Sequence, residues 1–462
     1  MESFYSTHHF PIGPILPDRK PSALQKPCEK NLIIIAALSM AFAGIGYAGP
    51  EGKEFVTNDT LLENDQIISF GPLAINSSYA KELVNWQQNV TEKPYLILKT
   101  SQAGGLKANT LTVSGAAWGT WMHEETNVPG KFPILSRFPD QHGSVDSQAS
   151  RWILNNAAVA LTGRVGNWVT LFGQGEFSDI EFLGQDQYQL RKAIVMVGNL
   201  DEFPVYAYFG RNTVDFGSMD SYSPFTHTVN NHSFRVDSDN PVVALGFAPS
   251  GLEGLNLVAT AIPGGRHLRV ADSEGSGQFD NFALNGSYRF DVSEEIELKV
   301  GGGWLNSTIY NRSIPNHPGG SFTNSVANSA ETIENGAWDV NAELMWRKFS
   351  FGGEYTATAN SWPATDTRVS SLTGQLAYDF RMFDKATRFS FVYGINTQGQ
   401  DGTEHEELRQ IAVGLETKIT DRLSLGIEYV RNTSFVPLIA ITQVSDSDVE
   451  TDSIIIGGKF TY

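Results

Sequence analysis

From Thr110 to Tyr462 the chain alternates apolar and polar side chains with a period of two. Only an extended strand places every second residue on one face, so this long stretch must fold as many strands. The clearest unit is Trp338–Arg347. Trp338, Val340, Ala342, Leu344 and Trp346 share one face; Asp339, Asn341, Glu343, Met345 and Arg347 share the other. At ~3.3 Å per residue the two tryptophans stand roughly 26 Å apart along the strand. After tilt, that suits an apolar band ~25 Å tall with an aromatic girdle at each edge. Residues 282–290, 296–304, 372–380, 410–416 and 423–429 repeat the scheme.

A soluble sandwich also alternates, burying its apolar faces against each other. The connections decide between the two. Sixteen strands fit, from 110–122 to 451–462, and the joins between them tend to alternate short and long. Short joins include Gly163–Gly166, Asp291–Glu295, the Arg347/Lys348 corner and Thr420–Arg422; long ones include 123–150, 212–240, 309–335 and 434–450. Short turns at one end, long loops at the other and an even strand number are properties of outer-membrane barrels. The expected fold is therefore all-β, a transmembrane antiparallel barrel of about 16 strands over residues 109–462. The last segment agrees, since Ile454, Ile456, Gly458, Phe460 and Tyr462 share one face and the chain ends on an aromatic. Such terminal segments resemble the signal read by barrel-assembly machinery, an expected partner together with outer-membrane lipids and lipopolysaccharide.

The N-terminus reads as a targeting segment. Arg19, Lys20, Lys26 and Lys30 precede the apolar run Leu32–Ala48, and Gly46-Tyr47-Ala48 supplies small residues at a cleavage position. Residues 1–48 are expected to be a signal peptide with an over-long n-region, and the mature chain to begin at Gly49. An uncleaved anchor is the alternative, although about 17 residues is marginal for a span. The only cysteine, Cys28, precedes that run, so the mature chain would carry neither disulfide nor thiolate chemistry. Residues 49–108 lack the period-two pattern and read as a periplasmic extension that could thread partly into the barrel; a short helix is expected over Ser77–Gln88, with Leu83 and Trp86 on one side.

A net charge of -18 with pI near 4.9 disfavours nucleic-acid partners. No Gly-x-Ser-x-Gly, phosphate loop or His-Glu-x-x-His occurs, so no catalytic residues, cofactor or metal site are expected. His123-Glu124-Glu125, His405-Glu406-Glu407 and the run Asp446, Asp448, Glu450, Asp452 read as solvated loop charges that could at most bridge a divalent ion.

A sixteen-stranded barrel leaves an aqueous channel, whereas a plugged active transporter needs around 22 strands; passage should therefore be passive. Loop 212–240 is the candidate constriction, with Arg211, Asp215, His227, His232 and Arg235 as candidate solute contacts beside Asp220, Asp237 and Asp239. A solvated surface loop is the alternative. By parity Glu176, Arg289, Glu297, Lys299, Glu343, Glu354, Glu416 and Glu428 should face the lumen. Acids outnumber bases in that set, which would mildly favour cations or neutral solutes.

The block Gln189–Arg235 resembles the LbtU-type siderophore porins of Gram-negative outer membranes. The resemblance lies in Ala193-Ile194-Val195-Met196-Val197-Gly198-Asn199-Leu200, Pro204-Val205-Tyr206-Ala207-Tyr208-Phe209-Gly210-Arg211, Asp215-Phe216-Gly217 and Pro224-Phe225-Thr226. It implies a sixteen-stranded porin in the outer membrane that passes a ferric siderophore without TonB. A general porin for small nutrients, or a surface adhesin with a blocked lumen, are the other functions the pattern allows.

Overall fold

The computed structural model describes residues 67–130, 132, 138, 146–179, 187–238, 240–263, 278–311, 334–363, 365–401, 406–434 and 449–462. The signal peptide expected over 1–48, the possible metal-bridging residues His405, Asp446 and Asp448, and Asp239 lie outside the described residues.

A short hairpin comes first, β1 (Ile67–Phe70) and β2 (Leu73–Asn76). Sixteen strands follow the N-terminal segment: β3 (Leu111–Thr126), β4 (Gln148–Val165), β5 (Val169–Phe177), β6 (Tyr188–Val197), β7 (Val205–Arg211), β8 (Val242–Phe247), β9 (Leu255–Pro263) and β10 (Phe279–Ser293). The second half comprises β11 (Ile296–Leu305), β12 (Ala337–Trp346), β13 (Phe349–Thr358), β14 (Ser370–Met382), β15 (Lys385–Thr397), β16 (Glu407–Lys418), β17 (Leu423–Ser434) and β18 (Glu450–Thr461). Each pairs antiparallel with its sequence neighbours, and β18 returns to β3 from Thr451↔Thr126 to Thr461↔Ala116. The sheet has closed on itself, so no barrel strand is left with an open edge along its length.

Turn chemistry keeps one end short. The β14–β15 turn is the pair Phe383-Asp384, both with positive φ (51° and 57°), the conformation whose twist matches two paired strands. The connections at the other end are long, as the lengths of 212–241, 306–336 and 435–449 show. At the seam, β2 adds in parallel to β3 through Leu73↔Leu111, Ala74↔Thr112 and Ile75↔Val113. It begins where β18 stops, beyond the reciprocal 3.0 Å backbone bonds between Gly115 and Tyr462. The hairpin thus prolongs the line of the last strand at the short-turn end.

The burial pattern is inverted relative to a soluble protein. Apolar side chains stand outside, with Leu245 58% and Leu372 51% exposed, whereas Thr120, Gln174, Asn256 and Gln410 are each 2% exposed on the inner face. An apolar exterior on a closed barrel is a lipid-facing surface. Near the short-turn end, Trp346 and Phe349 lie 6.0 Å apart, Phe349 and Tyr378 4.8 Å, and Tyr288 and Phe290 5.1 Å. These rings form one aromatic girdle.

Two helices of the N-terminal segment sit inside the barrel. The helix α1 (Ser77–Leu83) stops before Trp86, short of the stretch expected from sequence, and α2 (Lys93–Gln102) carries Pro94 in its first turn, where the missing N–H costs nothing. Tyr79, Leu83, Val84, Ile97 and Leu98 pack with wall residues Ala160, Phe172, Ile194 and Met196 and with Val214 and Phe216 of the long loop. Tyr79 also bonds Thr162 of β4 at 2.9 Å. From Tyr79 to Leu98 the N-terminal extension is therefore lumenal and not periplasmic as read from sequence, while the β1–β2 hairpin lies at the short-turn mouth.

Candidate functional site

The loop between β7 and β8 turns inward and crosses the lumen, and the wall is built to receive it. Inward carboxylates hold its backbone. Glu354 on β13 accepts the Ser218 and Met219 amides at 2.7 and 2.9 Å, and Glu428 on β17 accepts those of Phe225 and Thr226 at 2.7 and 3.3 Å. Gln375 on β14 accepts the Tyr222 amide at 2.7 Å, and Glu343 on β12 accepts the Tyr222 hydroxyl at 2.7 Å. A helix, α3 (Val229–Phe234), capped by Thr228, follows; within it Asn230 donates to Thr356 and Ser371 at 2.9 and 3.2 Å.

Glycines hollow the wall along the same path. A side chain at Gly414 would strike Pro224 at 2.3 Å, one at Gly394 would meet Val229 at 2.7 Å, and one at Gly426 would reach the Phe225 ring at 3.0 Å. Close approach of loop side chains to the wall backbone, rather than a special φ, is what these positions require. Part of the abundance of glycine, 44 residues, is thus explained by the loop.

The N-terminal segment is tied to this loop. Asp220 accepts the amides of Asn89 and Val90 at 3.1 and 3.0 Å, Gln87 O accepts the Ser221 amide at 2.6 Å, and Thr91 Oγ1 donates to Gly217 O at 2.8 Å. Glu92 anchors it to the wall, accepting from Ser287 and Lys299 at 2.7 Å each. Burial alone would raise the Glu92 carboxyl, but Lys299 and Ser287 together hold it below its ordinary value; it is an ionised anchor.

Asp215, near the start of the loop, is buried and accepts a hydrogen bond from Tyr208 of β7. Arg235 ion-pairs with Asp237 at 2.8 Å, donates to Asn231 at 3.0 Å, and lies 5.9 Å from the Trp86 ring centroid. Lys192 on β6 interacts electrostatically with Asp237, Glu176, Arg235 and Asp215, so two of the five candidate contacts converge on it. His227 and His232 are buried with the returning loop, and Arg211 ends β7 opposite Ala193.

On the wall, Glu176 pairs with Arg191 at 3.1 Å, Arg289 with Glu297 and with Glu343 at 3.6 Å, and Glu416 with Lys459 at 3.3 Å. Further bases on the inner side include Arg191, which also lies 5.2 Å over the Trp86 ring, Lys192, Arg388, Lys418 and Lys459. The acid excess read from sequence therefore covered only part of the wall, and several of its acids are occupied as loop anchors. Arg388, Lys418 and Lys459 could have been found by extending the parity count. Lys192 could not, because the register shifts at Gln174/Gly175 opposite it.

The link between the two inner segments should respond to pH. Burial raises Asp220 to about 6 despite Lys299 and the amides it accepts, and raises Asp215 to about 7 despite Tyr208. A carboxyl with a raised docked pKa binds more protons when docked, so docking weakens as pH climbs through that value. Lys93, lowered to about 7 by burial and by Lys192, shifts the balance only at higher pH, and Glu92 only below the ordinary glutamate value. Between about pH 5 and 7 the acids dominate. Hydrogen exchange of residues 84–92, corrected for intrinsic rates, is expected to accelerate across that window; exchange that slows would contradict the sign.

No protein-family model matches this chain, and no curated protein matches it in sequence. Solved structures do share its architecture. OprB of Pseudomonas putida (high-pH structure) superposes with TM-score 0.50 at 10% identity, over 76% of this chain and 94% of that one. The Salmonella typhi OmpF complex with daunomycin gives 0.49 at 14% identity over 76% and 97%, and an anion-selective porin from Comamonas acidovorans gives 0.48 at 10% over 76% and 99%. The fold is that of a sixteen-stranded porin barrel, and with its lipid-facing exterior the molecule is an integral membrane β-barrel.

Proposed function

We propose that this chain is a passive outer-membrane porin for small polar solutes, narrowed by loop 212–240 and by the N-terminal segment. The supporting observation is the loop itself, which leaves β7 and is held across a polar lumen by Glu354 on β13 and Glu428 on β17. A loop fixed in the lumen limits solute size, and its Lys192, Arg235, Asp215 and Asp237 surroundings impose a local field. Assembly into the membrane through the strand ending at Tyr462 belongs to the same reading. Passage of a ferric siderophore is the second reading, favoured by the resemblance of Gln189–Arg235. A bulky chelate would need the N-terminal segment to leave the lumen first.

Proteoliposome swelling separates the two. Mono- and disaccharides are expected to enter through the intact chain, and a ferric siderophore to enter only after residues 67–106 are removed. Entry of the siderophore through the intact chain at a rate near that of a disaccharide would establish the second reading over the first.

A further inference from the structure

We propose that the short-turn mouth of the barrel contains a binding site for a small organic anion with an aromatic or apolar body. A cavity of about 190 Å³ opens there, between α1 and the residues after it, the start of β3, loop residues 221–223 and the β16–β17 turn. The proposal takes the porin reading as its setting and adds a solute class to it.

Charge is the first observation. In a chain of net charge -18, this cavity is lined by five basic residues, Lys81, Arg388, Lys418, Arg422 and Lys459, against three acids, Glu82, Glu416 and Asp421. Arg388 is engaged by Asp379 at 2.8 and 2.7 Å, and Lys459 by Glu416 at 3.3 Å. Lys81 and Lys418 come from different elements, the in-folded helix and the end of β16, and face one space. An anion between them would relieve their repulsion.

Unpartnered polar atoms are the second, independent observation. Trp118 Nε1 and Ser223 Oγ belong to the lining and have no hydrogen-bond partner, although their side chains are only 5% and 3% exposed. Asn156 Oδ1, also in the lining and without a partner, only accepts and so does not serve an anion. Buried polar groups are nearly always satisfied. Trp118 Nε1 offers only a donor and Ser223 a donor or acceptor, and two donors beside lysines suit a carboxylate. The indoles of Trp86 and Trp118 and the ring of Tyr222 line the same space, and Lys459 stands 5.9 Å over the Trp118 ring. A flat apolar body would pack on these faces while its carboxylate met the donors.

The test uses the full refolded barrel in detergent at low salt, titrated calorimetrically with sodium benzoate and, separately, with neutral benzamide. Saturable benzoate binding is expected, with benzamide about tenfold weaker or worse. Lys81→Gln with Lys418→Gln is expected to weaken benzoate by about tenfold or more. Trp118→Phe, which keeps the ring and removes the donor, should weaken it by roughly threefold or more. Lys81→Gln alone, on the helix and outside the barrel wall, serves if a wall variant fails to fold. No saturable binding, equal binding of benzamide, or unchanged affinity in the folded lysine variant would overturn the site. Planar-bilayer current from the same preparation separates the readings: current without benzoate binding removes this site and leaves the porin, whereas binding without current does the reverse.

Discussion

Replacing Glu354 and Glu428 together by alanine should release the inner loop while leaving the barrel closed. Each carboxylate accepts two backbone amides of the loop, and Glu428 also accepts the Thr226 hydroxyl. Amides stripped of a charged acceptor inside the lumen cost about 2 to 4 kcal/mol per anchor, less where water replaces the lost oxygen. Hydrogen exchange over residues 216–228 should accelerate by roughly 30-fold or more per anchor, and single-channel current should become noisy. The sixteen-strand ladder does not depend on these contacts, so heat-modifiable migration should survive. Glutamine at both positions keeps one acceptor oxygen and should restore most of the protection. Unchanged exchange in the alanine variant would mean that apolar packing of Phe216, Phe225 and Phe234 alone fixes the loop.

Removing residues 67–106 should give the largest functional change. Sixteen strands spaced ~4.8 Å apart and tilted ~40° close at a backbone diameter of roughly 32 Å. Side chains on both walls reduce this to about 20 Å, and a helix with its side chains is ~10–12 Å across. An in-folded helical segment therefore occupies about a third of the free section at its level, and more where α1 and α2 overlap with the loop. Conductance is expected to rise by about twofold or more on truncation. Glu92→Ala offers a milder form: it leaves Lys299 buried without its partner, which strongly destabilises such a pair, and should loosen the segment without shortening the chain. Unaltered conductance in both variants would show that the segment does not limit flow.

The strands were legible because lipid and lumen impose opposite polarities on successive residues, so parity alone located them. β3 runs to Thr126, beyond the expected 122, with its inward parity unbroken through Thr120, Met122, Glu124 and Thr126. The charges of His123-Glu124-Glu125 read as a loop in the sequence, and the extra residue at the register shift, Asn155, lies on β4. Inward positions such as Glu343, Glu354 and Glu428 followed from the same parity, but their task of holding backbone amides did not, since parity names a face and not its occupant. The place of the N-terminal segment was only a possibility in the sequence. Lys93, Pro94, Leu96, Ile97, Leu98 and Thr100 of α2 are all buried, so the helix has no one-sided stripe to announce a partner. Glycines at 394, 414 and 426 are ambiguous for a related reason: a missing side chain shows that something approaches, and only the folded loop shows what.

We read the lumen as a permeation path narrowed by two inner segments. The most direct test of that claim is the single-channel current of the refolded chain from Gly49 onward in a planar bilayer. A small, steady, ohmic current that grows when residues 67–106 are removed is the expected result. A properly folded barrel that carries no current in either form would contradict the claim and move the function to the surface loops.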